Sequence, residues 1–152
     1  MVNLIRRAKI SLKQEVALTA KRILVGGKKL VYVLVADKAI PYQFGRSRIL
    51  YIGTTKTGSS RIAQSVASRA DFILQKHGIK CFHARVVTCS PRRRVKTWIK
   101  LERAFLLTFR ELYGELPSCN TRGRNMRAED EQRYFRRERL VAIIEKLSNH
   151  PN

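Results

Sequence analysis

The sequence predicts a mixed α/β fold, a ββα core followed by a further strand and helix and bracketed by terminal helices. Two observations predict it. Short runs rich in β-branched and apolar residues alternate with stretches whose apolar residues recur every three or four positions. The segments between them carry glycine, proline and hydroxyl residues where strands and helices should stop. With 152 residues, 44% of them hydrophobic, the chain is long enough for one domain with a real core.

Ile5 to Leu24 reads as a first helix, with Ile5, Ala8, Leu12, Val16, Ala20 and Ile23 on one side and Gly26-Gly27 as its stop. Leu30 to Ala36 (LVYVLVA) is continuously apolar, the pattern of a strand buried on both faces. A loop containing Pro41 and Gly45 follows, and Arg48 to Gly53 (RILYIG) reads as a second strand, antiparallel to the first. Thr54 to Ser60 is a turn rich in helix N-caps. A helix from Arg61 to His77 then buries Ile62, Val66, Ala70 and Ile73, and His77-Gly78 stops it. Ile79 to Thr88 reads as a third strand, and the basic turn Ser90 to Arg94 leads into a helix over Val95 to Tyr113. Gly114 ends that helix, Leu116 to Asn125 is a loop, and a last helix runs from Ala128 to Leu147. Residues 1–152 thus form a single domain: a core over 28–122, an N-terminal helix over 1–27 and a C-terminal helix over 125–152.

The charge points to a polyanion. There are 32 Lys and Arg against 11 Asp and Glu, a net charge of +21, and self-repulsion on that scale opposes compactness. Nucleic acid is the leading partner and an anionic membrane surface the lesser one. Seven of the eleven acids lie between Glu111 and Glu145, so the first two-thirds of the chain carry most of the positive field. Cys81, Cys89 and Cys119 form no CxxC pair, and His77, His83 and His150 lack ligand spacing, which argues against a zinc site and for reduced thiols. No apolar run approaches the ~20 residues of a membrane span. No signal peptide is visible. A cytoplasmic setting fits best.

One residue stands out against this background. In the Val95–Tyr113 helix, Val95, Trp98, Ile99, Phe105, Leu106, Phe109 and Leu112 form an apolar stripe, and Glu102 falls near its centre. Lys96, Lys100 and Arg103 occupy the opposite, solvated face. An inward carboxylate costs several kcal/mol unless it is ion-paired or holds a metal.

Tyr32 in the first strand, Tyr51 in the second, Arg61 opening a helix, Glu102 inside a helix and Asn120 in a loop follow in chain order. Singly, each has an ordinary structural reading. Together, Leu30-Val31-Tyr32, Tyr51-Ile52-Gly53, Arg61, Glu102 and Pro117-Ser118-Cys119-Asn120 resemble the GIY-YIG endonuclease superfamily. The resemblance covers Lys28 to Asn120. It departs from the family pattern at Leu30, which replaces a glycine, at Ser65, where many members carry His or Tyr, and in a longer segment between the tyrosines.

The resemblance implies a small, largely antiparallel three-stranded sheet flanked by helices, and a metal-dependent DNA endonuclease, stand-alone, structure-selective or restriction-type, with Tyr32, Tyr51, Arg61, Glu102 and Asn120 as its site. The residue types suit phosphodiester hydrolysis. Glu102 would hold one Mg²⁺, with Mn²⁺ as a substitute, since Mg²⁺ commonly uses one or two carboxylates and keeps its other waters. Arg61 would grip non-bridging phosphate oxygens through its planar fork. Either Tyr32 or Tyr51 would accept a proton from water if surrounding cations lower its phenol pKa, Tyr32 being the favoured base. Asn120 would bind or order groups near the site. Arg46, Arg48, Lys56, Arg92, Arg93, Arg94, Arg122 and Arg124 would track the backbone of double-stranded or branched DNA. A single site cutting both strands would need a homodimer or a second encounter. Two readings compete: a non-catalytic nucleic-acid-binding module on this scaffold, and a basic RNA-binding protein.

Overall fold

A computed structural model of the chain describes residues 8–14, 27–121, 126 and 128–150. The fold is mixed α+β, a three-stranded antiparallel sheet flanked by helices. The strands are β1 (Leu30–Tyr42), β2 (Gly45–Thr55) and β3 (Phe82–Val87), in the order β2-β1-β3. Helix α1 (Ser59–Gln75) joins β2 to β3 through a 3₁₀ turn at Lys76–Gly78. Helices α2 (Thr97–Tyr113), α3 (Ala128–Gln132) and α4 (Arg137–Asn149) follow.

The unbroken apolar run of β1 has the explanation its pattern suggests. Val31, Val33 and Val35 enter one core with α2 and α4, while Leu30, Tyr32, Leu34 and Ala36 enter another with Ile62 and Ile73 of α1. A central strand covered on both faces has no polar side. β1 and β2 are longer than the sequence suggests, because the expected loop around Pro41 and Gly45 continues the ladder to Tyr42↔Gly45. Pro41 sits opposite Arg46, near the hairpin end, where its missing N–H does least harm.

β2 carries a bulge that sets the faces of its residues. Leu34 pairs with Tyr51 but Val35 pairs with Ile49, so Leu50 is an extra residue. Side chains alternate along a strand, so beyond the bulge Tyr51 and Gly53 share the α1 face with Tyr32 and Leu34. Ile49 and Ile52 point to the other core.

Two terminal expectations change. The helix expected over Ile5 to Leu24 lies mostly outside the described residues, and its described part, 8–14, is not helical. Ile10 and Leu12 there are fully exposed, so within 8–14 these apolar side chains have no surface to cover that would support a helix. The single helix expected over Ala128 to Leu147 is broken into α3 and α4. Leu140, Ile144 and Leu147 form the buried stripe of α4, but positions in phase with them further back are Arg133, Arg136 and Arg137. A continuous helix would aim arginines at the core; the break instead lets Phe135 pack against it.

Helix α2 ends at Gly114, whose left-handed conformation (φ 80°) lets its N–H reach the Arg110 carbonyl at 2.8 Å. Among the described residues no helix is long and apolar enough to cross a membrane.

Candidate active site

Tyr32 and Tyr51 meet on the α1 face of the sheet, their ring centres 5.8 Å apart. Gly53, opposite Tyr32 in the ladder, makes this possible. A Cβ there would lie 2.5 Å from Tyr51 Cε1 and 3.0 Å from Tyr32 Cζ. The two phenols have different surroundings. Tyr32 is 2% exposed and donates to Ser65 Oγ at 2.8 Å. Tyr51 is half-buried and lines an open cleft of about 420 Å³.

Glu102, Arg103, Ile99 and Leu106 of α2 line the same cleft, with Thr54 of β2, Arg69 of α1, and Asn120 and Thr121 of the loop after α2. The buried face of α2 is centred on Leu101, Ala104, Phe105 and Thr108. Glu102 therefore stands at the flank of the stripe, half-buried, rather than at its centre. The face expected to be solvated is partly covered: the buried Glu131 of α3 accepts from Arg103 at 3.1 Å, and Lys100 Nζ lies 3.3 Å from its other oxygen without hydrogen-bond alignment. Arg103 is thus held at the cleft rim by a carboxylate behind it.

Asn120 uses its whole amide on the outer edge of β2. Its Nδ2 donates to the Ile52 carbonyl at 2.9 Å, and its Oδ1 accepts from the Ile52 N–H at 3.0 Å. The Cys119 N–H donates to the Leu50 carbonyl, and the Ser118 N–H to the Tyr42 phenol, which itself donates to the Ile49 carbonyl. The loop is stitched to the strand that carries Tyr51. Asn120 positions the cleft wall, so a role in direct binding is secondary to this one.

The arginine that α1 supplies to the cleft is Arg69. Its guanidinium carbon lies 4.1 Å from the centre of the Tyr51 ring, and its Nη1 donates to Ser65 Oγ at 2.7 Å. Arg61, the arginine expected from sequence, is exposed on the first turn of α1 and does not line the cleft. Arg61, Ser65 and Arg69 follow at intervals of four and so share a helix face. That periodicity is the signal that points to Arg69, but only the docking of α1 decides which turn reaches the site. Ser65 bridges the buried Tyr32 to Arg69.

The Tyr51 phenol does not behave as the cations around it suggest. Tyr51 is pushed up from 10.0 to about 12, first by burial and then by the neighbouring Tyr32, with Arg69 pulling the other way and the Glu102 charge adding a little. Desolvation outweighs the arginine, and Tyr51 stays protonated at neutral pH. It is suited to donating a hydrogen bond to an anion, not to removing a proton.

The remaining expected contacts are dispersed. Arg46 donates to the Ala39 carbonyl at 2.8 Å and Arg48 to the Asp37 carbonyl, bracing the hairpin away from the cleft. Lys56 is exposed after β2, and Arg92, Arg93 and Arg94 are exposed on a turn closed by an Arg92–Val95 bridge. Arg122 and Arg124 lie outside the described residues.

Among the described residues no cluster of three His, Cys, Asp or Glu is present to cage a metal. A cation at Glu102 would therefore have one carboxylate, with waters and substrate oxygens completing its shell. That donor set fits Mg²⁺, which binds this way at phosphate-transfer sites. The cleft also holds Arg69 and Arg103, so such a cation is favoured chiefly when an anionic substrate is present to offset them.

Comparison with known proteins returns no match: no protein-family model fits the chain, and no curated protein or solved structure is significantly similar to it.

Proposed function

We propose that this protein is a Mg²⁺-dependent DNA endonuclease of GIY-YIG type, acting in the cytoplasm. The observation that supports this reading is convergence. Tyr51, Glu102 and Asn120, far apart in sequence, line one open cleft together with Arg69. The net charge of +21 supplies the long-range attraction for a polyanion.

In this reading Glu102 would hold the cation, which would supply charge neutralisation at the scissile phosphate and at the departing oxygen. Arg69 grips non-bridging oxygens, and its pairing with Ser65 and Tyr51 fixes the fork before substrate arrives. Tyr51 donates to the phosphate or orients the attacking water. Tyr32 acts through Ser65 as a positioning residue, because it is buried away from the cleft. Arg103 adds positive field at the rim.

A nicking assay on supercoiled plasmid, with and without Mg²⁺, tests the reading. The wild type should nick only with the cation, and Glu102→Gln, which keeps the side chain's shape, should lose activity by about 10²-fold or more, as removal of one transition-state-stabilising group typically does. Full Mg²⁺-dependent activity in Glu102→Gln would remove the metal assignment. The competing reading is a binding module without catalysis. DNA binding with no nicking under any divalent cation would select it.

A further inference from the structure

One turn nearer the start of α2 lies a second hollow of about 410 Å³, whose wall includes Trp98, Lys28, Lys29 and Arg92. The three cations are exposed and Trp98 is half-buried, with Lys29 Nζ 4.7 Å from the ring centre. No carboxylate is among its described lining residues. Among the described residues Trp98 belongs to neither apolar cluster, although it is the largest side chain available for one. An indole outside both described clusters, under one lysine and in a hollow that two further cations line, is the kind of surface that unpaired nucleotides use: bases stack on the ring while phosphates meet the charges. Bases within a duplex are already stacked and offer no free face.

The position relative to Glu102 narrows the ligand further. Trp98 and Glu102 are four residues apart on α2, so they lie about 40° apart around the helix and about 6 Å apart along it. That is roughly one or two nucleotide steps, taking ~3.4 Å per step in a duplex strand and more in an extended one.

We propose that Trp98, with Lys28, Lys29 and Arg92, binds an unpaired nucleotide of single-stranded DNA continuing from the strand held at Glu102. The preferred substrate is then duplex DNA with a single-stranded arm. The binding site stands independently, whereas the substrate class rests on the nuclease reading. Lys29 covers the ring in the unbound protein; an incoming base displaces it, because base stacking outweighs an exposed lysine–aromatic contact, and the ammonium passes to a phosphate.

The chain has one tryptophan, so indole emission reports this site alone. Binding is measured in EDTA, without cleavage. Oligothymidylate should quench the emission, while an abasic oligomer of the same length should bind without quenching. By anisotropy competition, a duplex bearing a single-stranded arm should bind about tenfold tighter than a blunt duplex, the order of one base–aromatic stack. Trp98→Leu should abolish that preference and leave blunt-duplex affinity unchanged, and Trp98→Phe should keep much of it. Equal quenching by the abasic oligomer would overturn the proposal, as would absence of an arm preference or its survival in Trp98→Leu. A wild-type protein that prefers armed duplex but never nicks would sink the nuclease reading and leave this site standing.

Discussion

Gly53→Ala should damage the protein through crowding alone. Gly53 is not among the glycines of positive φ, so its backbone accepts any residue. The obstacle is the added methyl, which would stand 2.5 Å from Tyr51 Cε1, 2.9 Å from the Tyr51 hydroxyl and 3.0 Å from Tyr32 Cζ. Neither ring retreats freely: Tyr32 is fixed by Ser65, and Tyr51 lies beneath the Arg69 guanidinium. Over-packing of this kind costs roughly 1–3 kcal/mol. In a domain of this size each kcal/mol shifts Tm by about 2–4 °C, so a loss of about 2 to 12 °C is expected.

Thermal melts of four proteins isolate the cause: wild type, Gly53→Ala, Tyr51→Ala and the double variant. Tyr51→Ala removes the two closest contacts, so the methyl should cost less in that background, with a coupling of roughly 0.5–3 kcal/mol. Nicking should fall in Gly53→Ala even at temperatures where it is folded, because Tyr51 is displaced from the cleft. A Gly53→Ala protein that melts with the wild type, or costs the same in both backgrounds, would refute the crowding argument and the shared face of the tyrosines with it.

Three further expectations follow from the site. Arg69→Ala should lower nicking by about 10²- to 10³-fold, the usual loss for one preorganised donor, while Arg61→Ala should change it only a few-fold; single-turnover rates decide, and the reverse ranking would restore Arg61 to the site. Asn120→Ala removes two hydrogen bonds to Ile52, each worth ~1 kcal/mol net; chemical denaturation should register a loss of about 2 kcal/mol, and an unchanged midpoint would deny the loop its anchor. Tyr42 and Tyr51 are both raised by burial from 10.0 to about 12. A folded-state pKa above the unfolded one gives stabilisation that is complete below pH 10 and lost as pH rises through 12. Absorbance at alkaline pH should show two late phenols, and their titration near 10 in the folded protein would contradict their burial.

How much of this was legible depended on whether the signal was local. The apolar run of β1 announced a strand covered on both sides because burial acts on each residue separately. The face of Tyr51 was not legible. It hangs on Leu50 being the bulged residue, and nothing in Arg48–Gly53 distinguishes the extra residue from its neighbours. Arg61 and Arg69 share one helix face, so the sequence could identify the stripe but not the turn that meets the cleft; that is settled by how α1 docks on the sheet. Glu102 stands out in the sequence for its apolar neighbours, yet its place at the flank of the stripe comes from α2 turning Leu101 and Ala104 to the core. The α3–α4 break was readable in principle, since Arg133, Arg136 and Arg137 stand in phase with Leu140.

The stitching of Cys119 and Asn120 to β2 has a consequence for how the protein keeps to itself. β2 is a rim of the sheet, and its stretch Ile49–Ile52 is apolar enough to recruit a strand from another molecule. A rim with open N–H and C=O groups templates edge-to-edge aggregation. Here the Leu50 carbonyl and both main-chain groups of Ile52 are already occupied, the latter by a single side-chain amide that ends the ladder where a fourth strand would begin. Detaching that loop would expose an adhesive edge on the strand that bears Tyr51, so colloidal stability and the integrity of the cleft depend on the same few hydrogen bonds.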